Sequence, residues 1–255
     1  MVELKTPGEI EAMRAAGRVV AQALAAVRDR ASVGIRLSEL DEVAREVLRE
    51  ARASSPFLNY QPRFAPVPFP AVICTSVNDA ALHGIPTRYQ LEDGDLLSVD
   101  CGATLDGWTG DSAISFTVGQ GRSDDERLIK TAYDALAAGI AAAVVDEKIG
   151  DISAAIGAIG RAGRYGINTD FGGHGVGHTM HEDPSVPNEG RPGRGLRLRP
   201  GLVIAIEPWF LAGGKDEYRV DEDGWTLRSG DGSRAAHVEH TVAVTEDGPL
   251  ILTAP

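Results

Sequence analysis

Two segments of the chain share a form that few folds can accommodate. DGDLLSVD, ending at Asp100, and RPGLVIAIEP, containing Glu207, each run from a turn through an apolar strand to a carboxylate. A carboxylate at the end of a buried strand is costly unless it is paired or bound to a metal. Two further acids raise the same question, because Asp111 precedes the strand SAISFTV and Glu239 lies inside AHVEHTVAV. Alone, Asp111 reads as a turn residue and Asp100 as a strand-end cap. Glu207 and Glu239, apolar on both sides, are harder to dismiss, and together the four predict a metal site.

The same recurrence organises the chain. Thr6-Pro7-Gly8-Glu9 presents an N-cap, a proline at the first helical position and a glutamate at the third, so a helix is predicted from Pro7 to Arg30. Ser38 opens a second, with Leu40, Val43, Val47 and Leu48 on one face. Ser123 caps a third helix through Leu128, Ala132, Leu136 and Ile140, and Asp151 caps a fourth ending near Gly166. Each helix pair is followed by strands. They are predicted at Ala71 to Val77, Asp95 to Asp100 and Ser112 to Val118, then at Leu202 to Glu207, Glu217 to Asp221 and Ala235 to Thr245. The expected fold is α+β: one domain over residues 1–255, with an internal pseudo-repeat of roughly 1–120 and 121–255, forming one continuous sheet with helices on one side. Ser55 to Pro70, with five prolines, and Gly172 to Gly195 are expected as long loops.

Three of the six histidines fall in GGHGVGHTMHEDP. Glycines on both sides of His174 permit unusual backbone angles and close approach, as expected where a side chain must be aimed into a site. His178 is expected to point elsewhere, and His178, His237 and His240 read as surface or hydrogen-bonded residues. His83, beside a Gly-x-Pro turn, stays open between the two roles. Four carboxylates carry a charge that two divalent cations balance, and neutral His174 adds none. One imidazole among oxygens suits Mn, Fe(II), Co or Zn in a two-metal hydrolytic site.

Composition narrows the remaining classes. A formal net charge of -12 repels a phosphate backbone, so nucleic-acid binding is not expected. Cys74 and Cys101 sit in separate apolar runs without metal-knuckle or disulfide spacing, which fits a reducing cytoplasm. No run reaches the length of a membrane span, and the N-terminus has no unbroken apolar stretch of the signal-peptide type.

Taken in order, SVNDAALHGIP, DGDLLSVDCGATLDGWTGDSA, GGHGVGHTMHEDP, PGLVIAIEPW and AHVEHTVAVTEDG resemble the five signature blocks of type I methionine aminopeptidases. The resemblance covers nearly the whole chain and matches five separated ligand positions in type and order. It implies the pita-bread fold, two pseudo-symmetric halves forming a curved, mainly antiparallel sheet backed by helices. It implies that two metal ions are held by Asp100, Asp111, His174, Glu207 and Glu239, with Asp100 and Asp111 chelating or bridging, His174 and Glu207 on one metal and Glu239 bridging. It further implies that His83 and His181 face the scissile amide and that Glu207 takes a proton from water. The expected reaction is removal of an N-terminal methionine before a small second residue, on nascent polypeptide N-termini, by a monomer in transient contact with the ribosome.

By the same analogy Phe69, Cys74, Met180 and Trp225 are candidates for the methionine pocket, against the alternative of ordinary core packing. The chain departs from the family in FLNYQPRFAPVPFPAVIC, which is longer than the usual Gly-Tyr loop, and in Met180, where an aromatic is common. Tyr60 and Phe64 read either as lid residues or as cover for the loop itself. Two rival readings remain. Xaa-Pro aminopeptidases and dipeptidases share the ligands but usually carry an added N-terminal domain, for which a helix starting near residue 7 is expected to leave no room. A non-catalytic binding module on this scaffold is free to lose ligands that this sequence keeps.

Overall fold

A computed structural model of the chain describes residues 2–254. The first half contains helices α1 (Pro7–Arg30) and α2 (Leu37–Glu50) and strands β1 (Ile73–Val77), β2 (Ala80–Leu82), β3 (Leu96–Leu105) and β4 (Trp108–Thr117). The second contains α3 (Ser123–Ala141) and α4 (Ile149–Ala162), then β5 (Gly173–Gly175), β6 (Glu182–Val186), β7 (Val203–Ile206), β8 (Trp209–Leu211) and β9 (Tyr218–Val220). It closes with β10 (Leu227–Ser229), β11 (Ala235–His237), β12 (Glu239–Thr245) and β13 (Gly248–Ile251).

Helix α1 has the bounds its capping box predicts. Thr6 Oγ1 accepts from the Glu9 amide, and Glu9 Oε2 accepts from the Thr6 amide at 2.7 Å. The other helix starts shift slightly. Helix α4 begins at Ile149, because Asp151 acts from its third position, accepting the Lys148 amide at 2.9 Å, and the helix stops at Ala162 rather than near Gly166. Helix α2 likewise starts at Leu37, one residue before Ser38, with Glu39 closing on the Arg36 amide.

The main sheet runs β1-β3-β4-β12-β7-β5-β6 with β13 beside β12, all its pairs antiparallel, so the strands of the two halves lie side by side in one surface, joined where β4 pairs β12. Its register explains where the helices lie. Cys101, Ser112, His240 and Ile206 form one row across β3, β4, β12 and β7. Residues directly opposite one another point to the same face. Cys101 belongs to the core under α1 and α2, Ile206 to the core under α3 and α4, so both helix pairs cover one face. Alternation then sends Asp100 and Glu239 to the other. This is the pita-bread arrangement, a curled antiparallel sheet backed by four helices.

Two expectations fail locally. The glycine-rich stretch 172–195 is not one loop, because β5 and β6 pair within it, with Gly173 opposite Val186. The strand expected from Ala235 to Thr245 breaks at Val238, whose N–H leaves the ladder to donate to the Pro208 carbonyl at 3.1 Å. No helix among the described residues is long and apolar enough to cross a membrane.

Candidate active site

Three adjacent strands converge the acids. Asp100 on β3, Ala113 on β4 and Glu239 on β12 stand in one row. Asp111, two residues before Ala113, shares its face. One further step of the β12–β7 register sets Glu207, just past the end of β7, opposite Glu239. Strand β5 adds His174 from the far side. A Cβ on Gly173 would stand 2.3 Å from the Ala205 carbonyl oxygen, and one on Gly175 2.1 Å from that of Asp183. Neither glycine has a left-handed φ, so it is close backbone approach that requires them.

His174 Nδ1 lies 2.9 Å from the Gly175 carbonyl oxygen. A carbonyl only accepts, so Nδ1 carries the proton and Nε2 presents a bare lone pair, 3.5 Å from Glu207 Oε1. Two electron-rich atoms facing each other at that distance are stabilised by a cation. Asp100 Oδ1 and Asp111 Oδ1 are enclosed with no hydrogen-bond partner. One atom from each of Asp111, His174 and Glu239 lies within 4.8 Å of the other two. This donor set, oxygen-rich with one imidazole and lacking protein counter-charge, fits divalent metal.

The electrostatics agree. Burial, compounded by the neighbouring carboxylates, pushes Asp111 and Glu239 well above the ordinary carboxyl range. Burial also raises Asp100, to about 7. Glu207 departs from this pattern: burial raises it, but the donor contact from His237 leads the opposing effects that hold it below its usual value. His83 is lowered to about 4 by burial, so it is neutral at physiological pH. Its φ of 58° lies in the left-handed region, unusual for a side chain other than glycine. Gly84 follows it so closely packed that a Cβ there would lie 2.2 Å from the Thr75 carbonyl oxygen. His181 stands at the open side with its Nδ1 3.0 Å from Tyr60 Oη, and its ring meets that of His174 at 4.3 Å between centroids.

An apolar wall completes the cavity, a cleft of about 690 Å³ including its open mouth. Phe69, Cys74, Met180 and Trp225 pack into one buried cluster, with Phe69 and Trp225 edge to face at 5.1 Å. These side chains pack against one another and line the cavity at the same time, so the two readings of them were not exclusive. Tyr60 and Phe64 also line it; Phe64, 57% exposed, leans on Phe171 and Trp225 at the rim. All eleven residues singled out from the sequence lie on this one cavity: Phe69, Cys74, His83, Asp100, Asp111, His174, Met180, His181, Glu207, Trp225 and Glu239.

The remaining histidines divide. His178 stacks on Trp108 with Nδ1 2.7 Å from the Gly107 carbonyl oxygen, and His240 pairs with Thr253 Oγ1 at 2.8 Å, so both are turned away and hydrogen-bonded as expected. His237 is neither superficial nor satisfied. It is 2% exposed, its Nε2 has no hydrogen-bond partner, and it faces Glu207 Oε2 at 3.4 Å. The signal for it was present in the alternation that sets His237 and Glu239 on one side of a strand. Phe171, which packs edge to face on His83 at 5.4 Å, was also missed, and a single aromatic before two glycines gives no periodicity to find it by.

Comparison with known proteins accords with this geometry. The family model for metallopeptidase family M24 matches residues 11–246. Methionine aminopeptidase 1 of Mycobacterium tuberculosis is 50% identical over 99% of this chain and 95% of that protein, and the Clostridium perfringens methionine aminopeptidase is 41% identical over 99% of each. The crystal structure of the Thermotoga maritima methionine aminopeptidase superposes with a TM-score of 0.95 at 36% identity, covering 100% of both chains. Prolidase from Pyrococcus furiosus, at 22% identity and a TM-score of 0.77, matches 99% of this chain but 65% of its own, and shares the fold. The chain belongs to metallopeptidase family M24, and it stands there among the methionine aminopeptidases.

Proposed function

We propose that the chain hydrolyses the peptide bond after an N-terminal methionine, preferring a small second residue. The observation that carries this reading is that the carboxylate-histidine cluster and the apolar cluster are two walls of one cavity. A substrate whose first side chain is apolar and polarizable is thereby held beside the groups that act on its first peptide bond. The relatives' names point the same way.

In this reading Asp100, Asp111, His174, Glu207 and Glu239 hold two divalent ions. Bound there, these supply Lewis-acid polarisation of the scissile carbonyl and acidify water. The protein's own groups do the rest. Glu207, kept ionised by its histidine neighbours, receives the proton of the attacking water. His181, oriented by Tyr60, hydrogen-bonds the carbonyl oxygen of the scissile amide as charge develops on it. His83, neutral, offers a hydrogen bond to the leaving nitrogen. Phe69, Cys74, Met180 and Trp225 enclose the methionine side chain and exclude water from it.

We assign the activity to nascent N-termini in the cytoplasm, by a monomer that meets the ribosome transiently; for the compartment alone, the support is a free thiol, Cys74, on the cavity wall, which suits a reducing environment. The test is a peptide panel on metal-stripped protein reloaded with Mn(II) or Co(II). Met-Ala-Ser is expected to release methionine, with rates falling as the second residue grows. Cleavage of Xaa-Pro peptides with Met-Ala-Ser left intact would overturn the proposal.

A further inference from the structure

Glu207 is flanked by two imidazoles that are not equivalent. Its Oε1 faces His174 Nε2 at 3.5 Å and its Oε2 faces His237 Nε2 at 3.4 Å. His174 spends its one proton on the Gly175 carbonyl, so its Nε2 has nothing to donate. Of the two imidazoles facing Glu207, only His237 can hold it by a hydrogen bond. At 3.4 Å the two atoms face each other without a formed hydrogen bond, a looseness common in catalytic contacts before ligands are bound.

The backbone at His237 is fixed more firmly than packing requires. Its N–H donates to Ser115 Oγ at 3.0 Å, and its carbonyl accepts from the same hydroxyl at 2.7 Å. His237 pairs in register with Trp209, two residues past Glu207, and the N–H of Val238 donates to the carbonyl of Pro208 at 3.1 Å. The residue after His237 is thus tied to the residue after Glu207. A buried imidazole with an unpartnered nitrogen, aimed at a carboxylate and anchored to the segment that directly follows that carboxylate, is poorly explained as filler.

We propose that His237 is the positioning residue for Glu207: its Nε2–H holds Oε2, which turns Oε1 toward His174 Nε2 and the ligand side of the cavity. The proposal rests on the reading of Glu207 as a metal ligand and proton acceptor. It gives this chain an imidazole beyond the five donors that acts through a ligand without being one. Outer partners of this kind typically alter metal affinity or activity by about 10–100-fold when removed.

The test compares His237→Gln, whose amide nitrogen reaches to about the imidazole Nε2 position, with His237→Asn, whose amide stops short. Mn(II) binding to stripped protein is measured by calorimetry without substrate, urea unfolding is followed on each variant, and kcat and KM are measured for Met-Ala-Ser. His237→Asn is expected to weaken Mn(II) binding by about 10–100-fold and to lower kcat with KM nearly unchanged. His237→Gln is expected to restore most of both. In a Glu207→Gln background the Asn and Gln variants should bind Mn(II) alike. A purely structural role would instead make the two variants equal throughout; equal Mn(II) affinity of His237, Gln and Asn proteins overturns the proposal. The calorimetric comparison needs no cleavage, so a wild-type protein that binds Mn(II) but releases no methionine would sink the proposed reaction and leave this inference standing.

Discussion

Asp111 and Glu239 each grip a proton more tightly than an exposed carboxyl does, and Asp100 does so up to about 7. A carboxyl whose proton affinity rises on folding contributes stability that is present below its unfolded value near 4 and lost as pH climbs through the folded value. For Asp100 that window runs from about 4 to about 7, and Asp111 and Glu239 extend it upward in the same direction. Metal competes for the same oxygens, so its stabilising effect moves oppositely. The rise in Tm produced by saturating Mn(II) on stripped protein is therefore expected to be larger at pH 8 than at pH 6; an equal or smaller rise at pH 8 would count against these three carboxylates as donors. At this scale the sequence was most readable where a charged side chain contradicted its neighbours. Glu207 in VIAIEP and Glu239 in HVEHTV cannot be buried idly. His237 was harder to read, because a neutral imidazole in a strand contradicts nothing around it and its partner lies thirty positions away in sequence.

Elements were legible in proportion to their length and to the chemistry of their ends. Helix α1 declares itself through the Thr6–Glu9 capping box and a continuous apolar face. Strand β8, three residues long, exists only through pairing with the distant β11, which local sequence cannot reveal. Gly17, inside α1, shows how packing overrides local preference. An alanine in a helix interior ordinarily gains about 1 kcal/mol over glycine. Here the added Cβ would lie 2.2 Å from the Leu252 carbonyl oxygen, and the backbone of Gly110 passes so near that a Cβ on it would stand 3.0 Å from the Gly17 Cα. Backbone must move, at an overpacking cost of about 1–3 kcal/mol. Gly17→Ala is accordingly expected to lower the urea unfolding midpoint; a raised midpoint would show that the C-terminal segment yields freely.

For the molecule as a whole, the likeness of DGDLLSVD to RPGLVIAIEP suggests two comparable halves, while the strand order β3-β4-β12-β7, which joins them side by side at β4 and β12, was beyond local pattern. The donors are divided accordingly: Asp100 and Asp111 come from the first half, His174, Glu207 and Glu239 from the second. A ligand at 100 times its Kd adds about 2.7 kcal/mol to folding, and here it would fasten both halves at once. In excess Mn(II), urea transitions followed by far-UV circular dichroism and by the fluorescence of Trp108, Trp209 and Trp225 should coincide, and chelation should shift both together. Two separate midpoints in the metal-loaded protein would show that the halves unfold apart. Ala113 gives this architecture an evolutionary turn. Its methyl group is buried in the row between Asp100 and Glu239, so the spacing of those two carboxylates depends on a side chain that is small. A bulkier residue there would spread those carboxylates and silence the chemistry while every acid and histidine stayed in the sequence, so a descendant of this chain could trade catalysis for recognition in one step without rebuilding its scaffold.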